Sequence, residues 1–408
     1  MTDRRRRWAG LIATTVAAAT GLAACSGSGS TTAVTAVPAT TAAPGTTTTS
    51  SQPSTTTTTT PSFPNLTLVV EPADQYGSVY QMIREARHSL DMTMYELADP
   101  EIVTLLADAA HRGVAVRVLL DRAGSGAAVN QDAFTQLTSQ GVPVRWAPDT
   151  VLFHQKTLTA DGSVSAIMTG NLTAGYYPTT RDFVVLDRSP VAVSSIEAVF
   201  THDWDGGTTV RVASVGGLVW SPGSRSALVG LINSAHTSLA VENEEMEAPS
   251  IIAALKAARQ RGVVVTVTMT YSPTWVPAWT VLARAGVKVA TYPDTASALY
   301  IHAKVIVVDG LTAFVGSQNF SNASLAYNRE LGVTTSDPAV VGPLSETLAA
   351  DFAGATPFPV TPAPGSSATR TTAHTGTVAS TTTTRVATAT TTSTSTTTGP
   401  APATTRAG

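Results

Sequence analysis

Cysteine is nearly absent from this 408-residue chain: Cys25 stands alone, so neither an intrachain disulfide nor a cysteine-rich metal cluster can form. Charge is sparse as well, at 13% of residues, and basic charge is in deficit. With Arg4 to Arg7 and the late arginines Arg370, Arg385 and Arg406 set aside, 18 Lys and Arg face 27 Asp and Glu between 63 and 354, a net charge of about −9. A protein that grips nucleic acid does so through a basic surface that releases counterions, so nucleic acid is disfavoured as a partner. No Walker-type phosphate loop, no Gly-x-Ser-x-Gly elbow and no Cys/His cluster at metal spacing occurs, and neither a metal nor a cofactor is expected. The apolar stretch from Trp8 to about Leu22 is too short and too rich in Ala and Thr for an ordinary spanning helix. From 26 to 62 there is no charged residue at all, only Thr, Ala, Pro, Ser, Gly and a few others. Such a segment cannot bury enough apolar surface to offset the entropy of ordering, which makes it a tether; the tail from 355 to 408 is similar material.

What is present is a duplicated chemical pattern. His154-Gln-Lys156, with Asp161 and then Asn171, returns as His302-Ala-Lys304, with Asp309 and Asn319, every residue displaced by 148 positions. Thr169 and Ser317 share that offset, as do Asp182 and Glu330. Arg112-Gly113-Val114 and Arg261-Gly262-Val263 match at 149, so whole modules are repeated: 63–206 and 207–354. A histidine, a cation and a neutral amide, supplied twice, suit a phosphate diester: one imidazole as nucleophile, one as acid, and donors for the non-bridging oxygens.

These residues resemble the HxKxxxxD and G-S-x-N motifs of the phospholipase D superfamily. The second copy matches fully with Gly316, Ser317 and Asn319; the first has Met168 in place of the glycine and Thr169 in place of the serine. The resemblance implies two tandem phospholipase D-like α/β repeats, each a mixed or parallel sheet flanked by helices, related by a pseudo-twofold axis, with one active site between them that a single chain can complete. It implies His154, Lys156, Asp161, His302, Lys304 and Asp309 as catalytic residues, with His154 as the nucleophile and His302 as the acid. Asn171, Asn319, Thr169, Ser317, Asp182 and Glu330 would bind the phosphate or orient the imidazoles. The expected reaction is hydrolysis or transphosphatidylation of a phospholipid through a phosphohistidine. The alternatives are a cardiolipin synthase-like phosphatidyltransferase, a secreted nuclease and a non-catalytic phosphate-binding surface protein.

Within each repeat the periodicities alternate. Leu90 to Met94 reads as a strand, and Asp99 to Arg112 as a helix with apolar residues at 102, 105, 106 and 109 that Gly113 ends. Val114 to Leu120 and Val263 to Met269 read as buried strands, in parallel pairing with the strand before the helix. Leu152 to Leu158 and Ile301 to Val308 read as strands that carry His and Lys on one face, with Gln155 and Ala303 turned to the other. Glu242, Glu244, Glu245 and Glu247 read as a solvated or cleft-rim acidic loop, with Glu245 and Glu96 candidates for the mouth of the site. Asp203 and Trp204 read as packing residues, His111 and His202 as surface histidines. At the N-terminus, Leu22-Ala-Ala-Cys25 after four arginines and an apolar stretch resembles a bacterial lipoprotein signal. The expectation is an exported protein, secreted or held at the outer face of the membrane by a lipid on Cys25.

Overall fold

The computed structural model describes residues 65–124, 126–207 and 214–359. The signal with Cys25, the 26–62 tether and nearly all of the 355–408 tail lie outside the described residues.

The first repeat runs β1 (Leu66–Val70), α1 (Gly77–Glu85), β2 (Ser89–Met94), α2 (Pro100–His111), β3 (Ala115–Leu120), α3 (Gly126–Ser139), β4 (Val144–Trp146), β5 (Lys156–Ala160), β6 (Val164–Met168), β7 (Thr180–Arg181), β8 (Phe183–Asp187) and α4 (Pro190–Trp204). Seven of these strands form one sheet in the order β1-β8-β6-β5-β2-β3-β4. The second repeat has β9 (Leu218–Ser221), α5 (Ser224–Asn233), β10 (Ser238–Glu242), α6 (Pro249–Gln260), β11 (Val264–Thr270), α7 (Val276–Arg284), β12 (Lys288–Tyr292), β13 (Tyr300–Ile301), β14 (Val305–Val308), β15 (Thr312–Gly316), α8 (Asn322–Ala326), β16 (Glu330–Thr335), α9 (Pro338–Gly354) and β17 (Thr356–Pro357). Its eight-stranded sheet has the order β17-β12-β11-β10-β14-β15-β16-β9.

The local signals act as chemistry dictates. Asp99 caps α2 by accepting from the backbone N–H of Glu101 and Ile102, Pro100 opens the helix, and Gly113 leaves it at φ 93°. Ile102, Leu106 and Ala109 are fully buried along one face. β2 then pairs in parallel with β3, and β10 with β11. Antiparallel hairpins β5/β6 and β14/β15 complete each sheet, so the sheets are mixed.

Each repeat has its own apolar core under its helices, and a third core joins them: Ile167, Phe183 and Val185 of the first repeat pack with Ala303, Val305 and Val315 of the second. Two ion pairs cross this interface in mirrored fashion. Arg181 forks onto Asp351 at 2.6 and 3.0 Å, and Arg329 reaches Asp203 at 2.9 Å. The four residues are two pairs at the repeat offset, Arg181 with Arg329 and Asp203 with Asp351, each bonded to the other repeat.

Three readings need correction. The folded part does not stop at 354: β17 pairs with β12, and Phe358 packs against Trp279, so the last sheet gains an edge strand from what reads as tail. The HxK segments are not continuous strands; β5 begins at Lys156 and β14 only after Lys304. The break arises because the residues just before each motif bond to the opposite repeat. Phe153 bridges Arg329, and β13 pairs with β7, so His302 N–H and Ala303 N–H both donate to Arg181 O. The acidic run is not solvated as a whole: Glu242 is fully buried and Glu244 is 8% exposed.

Candidate active site

β2 and β10 end at the same depth in their sheets as the motifs begin, Met94 lying opposite Lys156 and Glu242 opposite Val305. The motifs and the residues following β2 and β10 therefore meet at the carboxyl ends of those strands, where ligand sites of open α/β sheets gather. The exchanged backbone pairing carries each histidine to the other repeat's acid. His154 Nδ1 lies 2.9 Å from Glu330 Oε2, and His302 Nδ1 lies 2.9 and 3.1 Å from the two oxygens of Asp182. All four residues are buried. Such a bond holds the proton on Nδ1 and leaves Nε2 as the working nitrogen.

Each acid is itself fixed. Thr169 Oγ1 donates to Asp182 at 2.6 Å while accepting from Phe183 N–H. Glu330 accepts from Ser324 Oγ and from Asn328 Nδ2. Ser317, the positional equivalent of Thr169, bonds the backbone of Leu331 and not the acid, so the two copies differ in how they hold their carboxylates.

The lysines are fully buried beside the imidazoles. Lys156 Nζ donates to His154 O at 2.7 Å and sits 5.1 Å from the ring centre of Tyr95. Lys304 Nζ donates to His302 O and to Glu244 Oε2, the latter at 3.1 Å. Burial, with Lys304 nearby, brings the Lys156 pKa down to about 7. Burial also pushes His154 down to about 4, against the pull of Glu330. Glu330 is held below the usual carboxylate range: burial raises it, but His154 and Lys156 outweigh that. At neutral pH this pair is a carboxylate accepting from a neutral imidazole. The charges form one system, because Lys304 acts on both His154 and Lys156, and Glu244 feels both histidines.

Asn171 Nδ2 donates to Glu96 at 3.1 Å, while Asn171 Oδ1 and Asn319 Oδ1 are buried and accept nothing among the described residues. The missing glycine of the first motif has a physical explanation. Gly316 faces Gly332 across the ladder, and a Cβ on it would stand 2.5 Å from Gly332 Cα; in the first repeat Met168 faces Val184 without conflict. The close approach there falls at Gly170, where a Cβ would meet Tyr76 Oη and Asp182.

Asp161 and Asp309 are the main correction to the site. They lie at the far ends of β5 and β14, about 16 Å of strand from the motif lysines, at φ 53° and 54°. Asp161 accepts from the backbone N–H of Arg87, His88 and Ser89, and Asp309 from His236, Thr237 and Ser238, so each closes a hairpin and anchors the start of β2 or β10. Neither touches the imidazoles. Their place in the motif reflects strand length, not chemistry.

Sequence reasoning passed over Tyr95 and read Glu244 only as part of an acidic run; the two follow β2 and β10 at equivalent positions. Tyr95 meets the His154 ring edge-on at 4.7 Å. Glu244 Oε2 lies 3.4 Å from His302 Nε2, and Glu244 Oε1 accepts from Tyr300 at 3.1 Å. The repeat offset aligned the two, but their unlike chemistry masked them. Among the described residues no group of three or more His, Asp or Glu is disposed to hold a metal ion, and no helix is long and apolar enough to cross a membrane. His111 and His202 are exposed.

A family model described as cardiolipin synthase, PLD-like domain, matches residues 79–204 and again 228–352. Cardiolipin synthase A of Pseudomonas aeruginosa is 28% identical over 348 residues, covering 73% of this chain and 69% of that protein. A cardiolipin synthase of Halalkalibacterium halodurans is 24% identical over 322 residues, covering 65% and 62%. Among solved structures, phosphatidylserine synthase of Haemophilus influenzae superposes with a TM-score of 0.56 at 12% identity, over 72% of this chain and 87% of that one, a likeness of fold. With the domain matched twice, over more than half of its length, and the paired motifs meeting in one cleft, this chain belongs to the phospholipase D-like family.

Proposed function

We propose that the protein is a phosphatidyltransferase that moves a phosphatidyl group between alcohols through a phosphohistidine. The exchange of imidazole partners between repeats supports this reading above all, since it anchors both histidines through Nδ1 and makes them parts of one site. His154 Nε2, neutral and buried, attacks phosphorus; the bond to the leaving alcohol oxygen breaks as His302 Nε2 delivers its proton there. The acceptor alcohol then gives its proton to His302 and attacks phosphorus, and the N–P bond to His154 breaks. Lys156 and Lys304 offset the charge on the non-bridging oxygens, with Asn171 and Asn319 as neutral donors.

Hydrolysis with lipid degradation is the reading that the residues alone favour. The names of the curated relatives, cardiolipin synthases, support transfer to an alcohol over transfer to water. Incubation of the purified protein with phosphatidylglycerol vesicles tests this. Cardiolipin and glycerol are the expected products; phosphatidic acid and glycerol in their place would make it a hydrolase. An exported, lipid-anchored location is proposed with it, on the signal-like N-terminus and Cys25. Cys25→Ala should move the protein from the membrane to the soluble fraction, and a variant still in the membrane would remove the anchor.

A further inference from the structure

The second half-site contains a buried acid for which the exchange reaction above has no use. Glu244 is 8% exposed, and one of its oxygens lies between the two groups that should grip a phosphate oxygen, 3.1 Å from Lys304 Nζ and 3.4 Å from His302 Nε2. Its other oxygen is held by the Tyr300 hydroxyl. A counterion for a buried lysine would be the simplest explanation, but the first repeat shows that the fold does not require one. There the equivalent position is Tyr95, and Lys156 makes no ion pair among the described residues. The carboxylate is firmly ionised: burial raises its pKa, but Lys304 and His302 bring it down to about 2.

We propose that Glu244 is an internal occupant of the phosphate seat and sets its charge selectivity, yielding Lys304 to a singly charged phosphodiester while repelling a doubly charged phosphomonoester. This rests on the phosphodiester reading and deepens it. A diester brings one negative charge and replaces one on Lys304, so the seat stays balanced. A monoester brings a second charge into a water-poor cleft beside the displaced carboxylate, where like charges repel strongly. The consequence is that a diester product of alcohol transfer can rest in the site, whereas the phosphatidic acid formed by stray hydrolysis is expelled.

Calorimetric binding of phenyl phosphate and diphenyl phosphate to the full chain and to Glu244→Gln tests this at about pH 7, where a monoester with its second pKa of about 6 is mostly a dianion. The wild type should bind the diester more tightly. In Glu244→Gln the monoester should gain about tenfold or more, and the diester no more than about threefold. Equal gains for both ligands, or none, would overturn the proposal. Should the glutamine variant misfold, Glu244→Tyr, which copies the first repeat, must give the same divergence. Failure of diphenyl phosphate to bind any of these proteins would count against the phosphodiester reading itself, and so overturn both.

Discussion

The two half-sites use the same histidine, lysine and asparagine, yet their surroundings differ in sign. Around His154 and Lys156 the neighbour from the sheet is an aromatic ring, Tyr95; around His302 and Lys304 it is a carboxylate, Glu244. Burial keeps the His154 imidazole neutral against the pull of Glu330, the form in which the proposed nucleophile acts. The His302 imidazole instead has a carboxylate beside each nitrogen, Asp182 at Nδ1 and Glu244 near Nε2. Duplication supplied two like motifs, and the unlike residues after β2 and β10 make the two half-sites electrostatically distinct.

The largest expected effect separates those roles directly. His154→Ala and His302→Ala should each lower turnover by about a thousandfold or more, since each removes half of the nucleophile and acid pair. With an activated leaving group that needs no protonation, His302→Ala should still accumulate phosphate on His154, seen by mass spectrometry after rapid quench. Phosphate on His302 in the converse variant would reverse the comparison.

Next come the exchanged acids. Glu330→Gln and Asp182→Asn keep shape but lose the charge that fixes tautomer, and each should cost about a hundredfold or more in kcat with little change in KM. On the proposed assignment, in which Glu330 serves the nucleophile and Asp182 the acid, only Asp182→Asn should be relieved by an activated leaving group. Equal relief of both would mean that the half-sites are functionally alike.

The pH profile sharpens the same contrast. His154 must be neutral and Lys156 charged, so kcat/KM should fall below about pH 4 and above about pH 7. Lys156→Arg should move the alkaline limb upward and leave the acid limb in place; an unmoved alkaline limb would clear Lys156. Stability responds as well. The His154 pKa is depressed from 6.5 to about 4 on folding, so between those values the unfolded chain holds more protons, and this residue's share of stability is lost as pH falls through that window.

The smallest effect on catalysis is expected at the motif aspartates. Asp161→Asn and Asp309→Asn should leave activity within about twofold while costing about 1 kcal/mol of stability each through weakened bonds to backbone N–H groups. A drop in activity without a drop in melting temperature would return them to the site.

Much of this was legible in the chain. The constant offset of 148 exposed the duplication, and with it the single site, because a catalytic set repeated in full is costly to keep by chance. The period of α2, with Asp99 before it and Gly113 after it, marked the helix and both parallel strand pairs. These are local signals: a cap, a breaker and an alternating face act within a few residues and need no partner from elsewhere.

What only the tertiary structure decided is long-range. Sequence placed Asp182 and Glu330 near imidazoles, but the exchange, Glu330 to His154 and Asp182 to His302, depends on backbone bonds from Leu152 to Arg329 and from Arg181 to His302, about 120 to 180 residues apart in the chain. Burial likewise depends on what packs above a residue: Glu242 and Glu244 look like a solvated acidic run until the second sheet's neighbours cover them. Asp161 and Asp309 looked catalytic because the motif ends on them, yet the rise of a β-strand carries them out of the site. Residue types and spacing determined which chemistry this chain can assemble, and the distances between elements far apart in sequence decided which of its acids touch it.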